Sequence, residues 1–420
     1  MAKTILLKAT TYLVGTGLNS AIPFFLLPIF TRYLAPSDMG RVAIYQSTLS
    51  ILLILVAIYI PASASARYFR EGKNALAEYV GTGVLLATSL TIALAALLKI
   101  LEAPIILYTS LGYWTILLAL LAAYLQLYIN IKLKLMQMQG KAFSFSVLQN
   151  LNTLCVMAVS IFFVVFLLYG WQGRVWGQFV ATLATALVAI FLMKRHGDIR
   201  LCWRKDYAEE IVKFGAPLIP HGVGTVAAIF FNRVILNKMA TLDEVGYYMV
   251  AAQLTSIITI CASALNQAYA PWLYKQLSNA HLSDLDRLKI VKGTYFQFSA
   301  MLISAGFFSV LSPWFVNFFL GESYLGAVKY IPWLAISCAF HGMYFMVTNY
   351  LFFHKKTGRL ATLSASLAIL TVLVTPLFIM VFGVVGAAKA TAISNALLFF
   401  VTWYLASQAE PMPWSKMFRY

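Results

Sequence analysis

Charge is scarce in this chain. Of 420 residues, 14 are Asp or Glu and 31 are Lys or Arg, so charged residues make up 11%. None falls between Lys8 and Arg32, and none between Arg41 and Arg67. Charge-free runs recur at 79–98, 103–131, 142–173, 175–193, 214–232, 245–274, 293–321, 330–354, 360–388 and 390–409. Soluble domains are about a quarter charged. With 61% hydrophobic residues and a mean hydropathy of +0.81, a water-soluble body is excluded. Long polar linkers are missing too: the longest polar stretch, Lys194 to about Lys213, is too short for a domain. Cysteine is sparse and scattered (Cys155, Cys202, Cys261, Cys338), which excludes a disulfide framework or a zinc site. No Walker A loop, dinucleotide fingerprint, HExxH or GxSxG occurs, so neither ATP hydrolysis nor these hydrolase chemistries are expected. The first apolar run has no convincing small-x-small cleavage site and is longer than a signal-peptide core, so it reads as a retained helix. No cofactor or metal is expected.

What is present is length within each run. Each of the twelve can cross roughly 30 Å of hydrocarbon as a helix. The expected fold is therefore an all-α polytopic membrane protein with twelve transmembrane helices. The net charge of +17 does not signal nucleic acid, because the basic residues are dispersed among loops. With the N-terminus inside, Lys and Arg number 23 on the cytoplasmic side and 8 opposite. Such a bias sets orientation and predicts cytoplasmic termini. The cytoplasmic linkers are then Arg67–Glu78, Lys132–Lys141, Lys194–Lys213, Lys275–Lys292 and Lys355–Arg359.

The chain also repeats itself. Residues 32–46 and 238–252 share a leading basic residue, an acidic residue two before a glycine, and an apolar helix directly after. Ser37 or Asp38 is a candidate cap for the second helix and Asp243 for the eighth. Gln139-Gly140-Lys141 is echoed by Thr357-Gly358-Arg359, and Gly173, between the fifth and sixth runs, by Gly386. Three echoes in one order predict two parallel six-helix bundles, 1–205 (with the connecting loop) and 206–420. Such repeats commonly support alternating access about a central site. Pro23 and Pro28 are expected to interrupt the first helix, and Pro217 and Pro220 the seventh, as bending points.

Ionisable groups inside apolar runs are costly unless they face a cavity, a partner or the interface. Arg233 breaks the seventh run and has two readings, snorkelling to headgroups or facing an anion across a cavity. Arg174 and Lys389 open the sixth and twelfth runs at similar positions. Arg32 closes the first run. Arg67 and Arg70 share a helical face near the end of the second, with interface anchoring an equal alternative. Lys99 and Glu102 suggest a local ion pair. Among neutral groups, Asn19, Asn152, Asn266-Gln267, Asn349 and the pair Gln126/Asn130 provide either interhelical hydrogen bonds or a hydrated path for sugar hydroxyls. His221 and His341 are protonatable but have no partner defined by spacing. No carboxylate lies at the middle of any run, which disfavours a carboxylate proton relay.

Phe30-Thr31-Arg32-Tyr33-Leu34-Ala35-Pro36-Ser37-Asp38-Met39-Gly40 resembles the early signature of polysaccharide biosynthesis proteins of the Wzx oligosaccharide-flippase type, related to the MATE exporters. Asn232-Arg233-Val234-Ile235-Leu236 followed by Val245-Gly246-Tyr247-Tyr248 resembles the second-half signature. Many members carry an acid where this chain has Asn232. The resemblance implies flipping of an undecaprenyl-diphosphate-linked oligosaccharide across a bacterial inner membrane, through a cationic cavity, alongside glycosyltransferases and a glycan polymerase. Arginines suit a diphosphate because their donors form charge-assisted bidentate bonds. The expected substrate-binding set is Arg233 first, then Arg174, Lys389 and Arg67, with Arg32, Asn19, Asn266 and Gln126. The competing readings are a MATE-like exporter of cations, which would want an anionic cavity, and a polymerase or ligase, which would want a sizeable external loop.

Overall fold

The computed structural model describes residues 2–68, 72–278, 283–354 and 357–414, and among these residues there is no β-strand. The chain forms two compact units, Met1–Lys238 and Met239–Tyr420. The first holds α1 (Ala2–Tyr33), α2 (Pro36–Ala57), α3 (Ile60–Arg67), α4 (Lys73–Ile100), α5 (Glu102–Thr109), α6 (Tyr113–Met138), α7 (Ala142–Ile161), α8 (Gly170–Arg195), α9 (Lys205–Gly215) and nearly all of α10 (Ile219–Met239). The second holds α11 (Leu242–Leu277), α12 (Asp284–Phe315), α13 (Ile331–Phe353), α14 (Thr357–Phe382) and α15 (Gly386–Ala409). All but α3, α5 and α9 have 20 residues or more. Among the described residues nine stretches are long and apolar enough to span a membrane, and one of them, Thr362–Ala409, contains most of α14 and all of α15.

In the first unit, α7 is gripped at two heights. A Cβ on Gly15 of α1 would stand 2.2 Å from the Ser146 hydroxyl, and one on Gly177 of α8 would stand 2.4 Å from Ser160 Cα. Hydrocarbon gives helices no hydrophobic reason to associate, so small residues that let backbones approach take over that role. The Asn150 amide donates to the Gly15 carbonyl at 3.0 Å and fixes the register of α1 on α7. The second unit packs differently. Its core joins Tyr269 of α11, Phe298 and Met301 of α12, Met343 and Met346 of α13 and Phe399 of α15. Phe298 and Phe399 meet edge to face, with ring centres 5.2 Å apart.

Several sequence expectations are corrected. The run before Arg67 is not one helix: Ile58 (φ 37°) and Tyr59 (φ 55°) take left-handed backbone and separate α2 from α3. The run 103–131 divides at Ser110–Gly112 into α5 and α6. The linkers Lys132–Lys141 and Lys275–Lys292 are mostly helical, because α6 continues to Met138, α11 to Leu277, and α12 begins at Asp284. The stretch Lys194–Lys213 contains most of α9, whose apolar side is buried through Tyr207, Ala208 and Ile211. Gly173 lies in the first turn of α8, not between helices. Pro23 and Pro28 are held inside an unbroken α1, whereas Pro217 sits in the 3-10 turn before α10. The cap of α11 is Thr241, whose hydroxyl accepts from Glu244 N at 3.3 Å, rather than Asp243. No side chain caps α2, and Asp38 pairs with Arg41 at 3.1 Å instead. Lys99 and Glu102 form the anticipated ion pair, at 2.6 Å.

Candidate functional site

The two highest-ranked arginines approach one stretch of α2. From α10, Arg233 Nη1 donates to the Ala43 carbonyl at 2.7 Å and to Ser47 Oγ at 2.5 Å. From α8, Arg174 lies within electrostatic range of Tyr45, on the same stretch. Gln46 completes it by donating to Gln178 of α8 at 2.5 Å. Arg233 thus meets the Ala43/Ser47 side of α2, whereas Tyr45 and Gln46 turn another side of it toward α8.

Arg174 has further neighbours on α1 and α7. Its Nη1 donates to Ser160 Oγ at 2.8 Å, and its guanidinium lies 4.6 Å from the centre of the Phe30 ring. No carboxylate pairs with it among the described residues. A partly buried guanidinium held by one hydroxyl and a ring keeps donors for an anion. Asn19 lies on the same α1–α7 seam and accepts from Thr153 at 2.5 Å. Thr153 and Ser160 are seven residues apart on α7, roughly 10 Å along its axis. On the face of α7 that meets Gly15, Asn150 Oδ1 is buried without a hydrogen-bond partner among the described residues. Buried polar atoms are normally satisfied, so such a group marks a polar path rather than an ordinary greasy interface.

The remaining expected site residues lie elsewhere. Arg67 pairs with Glu210 of α9 at 2.9 Å and lies against the rings of Tyr79 and Tyr207; Arg70 is outside the described residues. Gln126 of α6 donates to Asn130 at 3.1 Å, one turn along. Arg32 is exposed at the end of α1. In the second unit, Asn266 accepts from Asn349 at 2.7 Å, a bond between α11 and α13. Lys389 of α15 is covered by Phe382, 4.0 Å from its ammonium, and Trp333 at 5.0 Å.

Sequence reasoning missed the most buried cation among the described residues. Lys132, 1% exposed, pairs with Asp198 at 2.6 Å and approaches His196 at 3.2 Å. Sixty-six residues separate the pair, and no spacing rule joins them. Among the described residues no group of His, Cys, Asp or Glu could hold a metal ion.

Nine long apolar stretches among the described residues define a multi-pass membrane protein. Its fold is that of transporters: it resembles a MATE family multidrug transporter in an inward-facing conformation (TM-score 0.66, 14% identity, 93% of this chain and 94% of that one). It also resembles the lipid II flippase MurJ in an inward closed conformation (TM-score 0.77, 12% identity, 94% of this chain and 87% of that one). The chain belongs to the polysaccharide biosynthesis protein family, which it matches over residues 5–276. It is 26% identical over 360 residues to the Lsg locus protein 1 of Haemophilus influenzae, covering 84% of this chain and 86% of that protein. An uncharacterized membrane protein of the same organism is 23% identical, with 85% and 86% covered.

Proposed function

We propose that this protein flips an undecaprenyl-diphosphate-linked oligosaccharide from the cytoplasmic to the outer leaflet of a bacterial inner membrane by alternating access. In this reading the chain has twelve spans in two six-helix repeats and both termini are cytoplasmic. It works between the glycosyltransferases that build the glycan and the polymerase that extends it. Membership of the polysaccharide biosynthesis family and a fold shared with a lipid flippase support it.

The observation that carries the reading is Arg174, a partly buried cation with no carboxylate partner among the described residues, beside a seam that holds Asn19 and Asn150. A diphosphate and several sugars cannot enter hydrocarbon cheaply, because their polar groups would lose water without replacement. Arg174 would take the diphosphate through charge-assisted bonds. Asn19 and Asn150 would exchange hydrogen bonds with the sugars. Arg233 already donates to Ala43 and Ser47, so its role is to hold α10 on α2. No bond is made or broken in the transported molecule. A cation exporter fits this arrangement poorly, because the seam offers a guanidinium and no carboxylate.

The test is export of surface glycan in cells that depend on this chain. Arg174→Ala should lower export at least tenfold with normal membrane insertion, and Arg174→Lys should restore it in part. Undiminished export by a normally inserted Arg174→Ala protein would remove the seam from the transport path.

A further inference from the structure

A second basic site lies in the first unit, away from the Arg174 seam. A cavity of about 600 Å³ opens where α4 begins, α6 ends, α7 begins and α8 ends. Its wall carries Lys73, Lys141 and Arg195, over an apolar floor of Leu76, Ala77 and Leu135. None of the three cations pairs with a carboxylate among the described residues. The one acid on the wall, Asp198, is already matched by buried Lys132 at 2.6 Å. Among the described residues the wall therefore carries a surplus of three positive charges.

Backbone geometry adds to this field. Lys73 is the first residue of α4, and Lys141 is the N-cap of α7. Neither helix start has a side-chain cap or an acid in its first turn, so their unsatisfied N–H groups and positive dipole ends act with the lysines. The Lys73 ammonium lies 3.8 Å from where a Cβ on Gly197 would stand, which sets it beside the turn that carries His196 and Asp198. Gln139, also on the wall, has a buried amide oxygen with no partner among the described residues. A half-turn of that amide presents its NH2 group to an anion.

We propose that this cavity binds a phosphate-bearing anion. The ligand is a phosphate that has an apolar neighbour or none: the headgroup of an anionic phospholipid, or free phosphate. The headgroup is the better fit. The cavity sits at the ends of α4, α6 and α8, each part of a stretch long and apolar enough to span a membrane, and basic pockets between such helix ends are where anionic headgroups dock. The apolar floor suits the glycerol and first methylenes of a lipid and has no use for inorganic phosphate. The site is built from one unit only, and it stands whether or not the transport reading holds.

The experiment uses the full-length protein in detergent and in nanodiscs. Binding of phosphatidylglycerol is measured by native mass spectrometry and by thermal stabilisation, with phosphatidylcholine as the neutral reference and inorganic phosphate as competitor. The test variant is Lys73→Gln/Lys141→Gln/Arg195→Gln; these side chains are exposed, so folding should survive. The control is Lys205→Gln/Lys213→Gln/Lys289→Gln, which removes the same charge elsewhere. We expect the test variant to lose phosphatidylglycerol affinity by roughly tenfold or more, the control to lose little, and Lys73→Arg/Lys141→Arg to bind like the original. Binding of phosphate alone, abolished by the test variant, would support the site with a soluble ligand. Equal loss in test and control variants, or no preference for either anion over phosphatidylcholine, would overturn it.

Discussion

The two units solve the same packing problem with different chemistry. In Met1–Lys238 the helices are joined by polar and charged groups: Arg233 on α2, Arg174 on Ser160, Gln46 on Gln178, Asn19 with Thr153, Lys132 with Asp198. In Met239–Tyr420 the interhelical pairs inside the bundle are neutral, Asn349 with Asn266 and Asn395 with Ser337, around a core of Phe298, Phe399, Met301, Met343 and Met346, and Lys389 is covered by aromatic rings. The halves resemble each other in sequence pattern, yet the partners of Arg174 and Lys389, which hold similar positions in the repeat, are unlike. A single hydroxyl and one ring leave Arg174 with donors for an anion. Rings on Lys389 satisfy its charge locally. A cationic transport path is therefore expected to draw mainly on the first unit.

Asp198→Asn should give the largest loss of stability, about 3–5 kcal/mol, because it strands the Lys132 charge in a buried place. Thermal unfolding in detergent reads this, and an unchanged midpoint would show that the pair is not buried in the membrane-embedded protein. Phe399→Ala should cost a similar or slightly smaller amount, about 3–4 kcal/mol, through a cavity in the aromatic core; a negligible loss would erase the contrast between the units. Arg233→Lys keeps the charge but loses the fork that holds Ala43 and Ser47, and should cost about 1.5–3 kcal/mol. Lys389→Met should cost below about 1 kcal/mol and leave export intact, since the rings accept a methionine equally well. A strong export defect in Lys389→Met would return the second unit to the transport path.

The smallest effect is electrostatic. Hydrogen bonds from Arg204 hold the Asp206 carboxyl below the usual aspartate range. A lowered folded value means that its contribution is present above the ordinary aspartate value and fades as pH falls through the lowered one. In the Arg204→Gln protein the Asp206 carboxyl should titrate closer to an ordinary aspartate, as followed by carbon-detected NMR. Titration at the original lowered value would show that Arg204 is not the cause.

Much of the helical architecture was legible because hydrocarbon imposes a simple rule: charge leaves the spans. That rule located the long helices, though it gave no warning of breaks inside a run. Ile58 and Tyr59 turn left-handed with no glycine at the break, and tertiary packing imposes that turn where local propensity opposes it. In-run position likewise singled out Arg174 and Arg233, because an intramembrane cation is rare enough to stand out. Their partners were not legible. Ser47 and Ser160 look like any other helical serines until α10 and α8 are laid against α2 and α7. Lys132 was read as the start of a loop because charge usually ends a span; its pairing with Asp198 lets the helix carry the charge inward.

The most direct measurement is sidedness of a labelled lipid-diphosphate oligosaccharide in proteoliposomes containing the purified, uniformly oriented protein. The account predicts that the glycan becomes accessible on the opposite face at a rate that Arg174→Ala lowers at least tenfold. A glycan that stays on its original face with active protein present, or crosses equally fast with the variant, would contradict it.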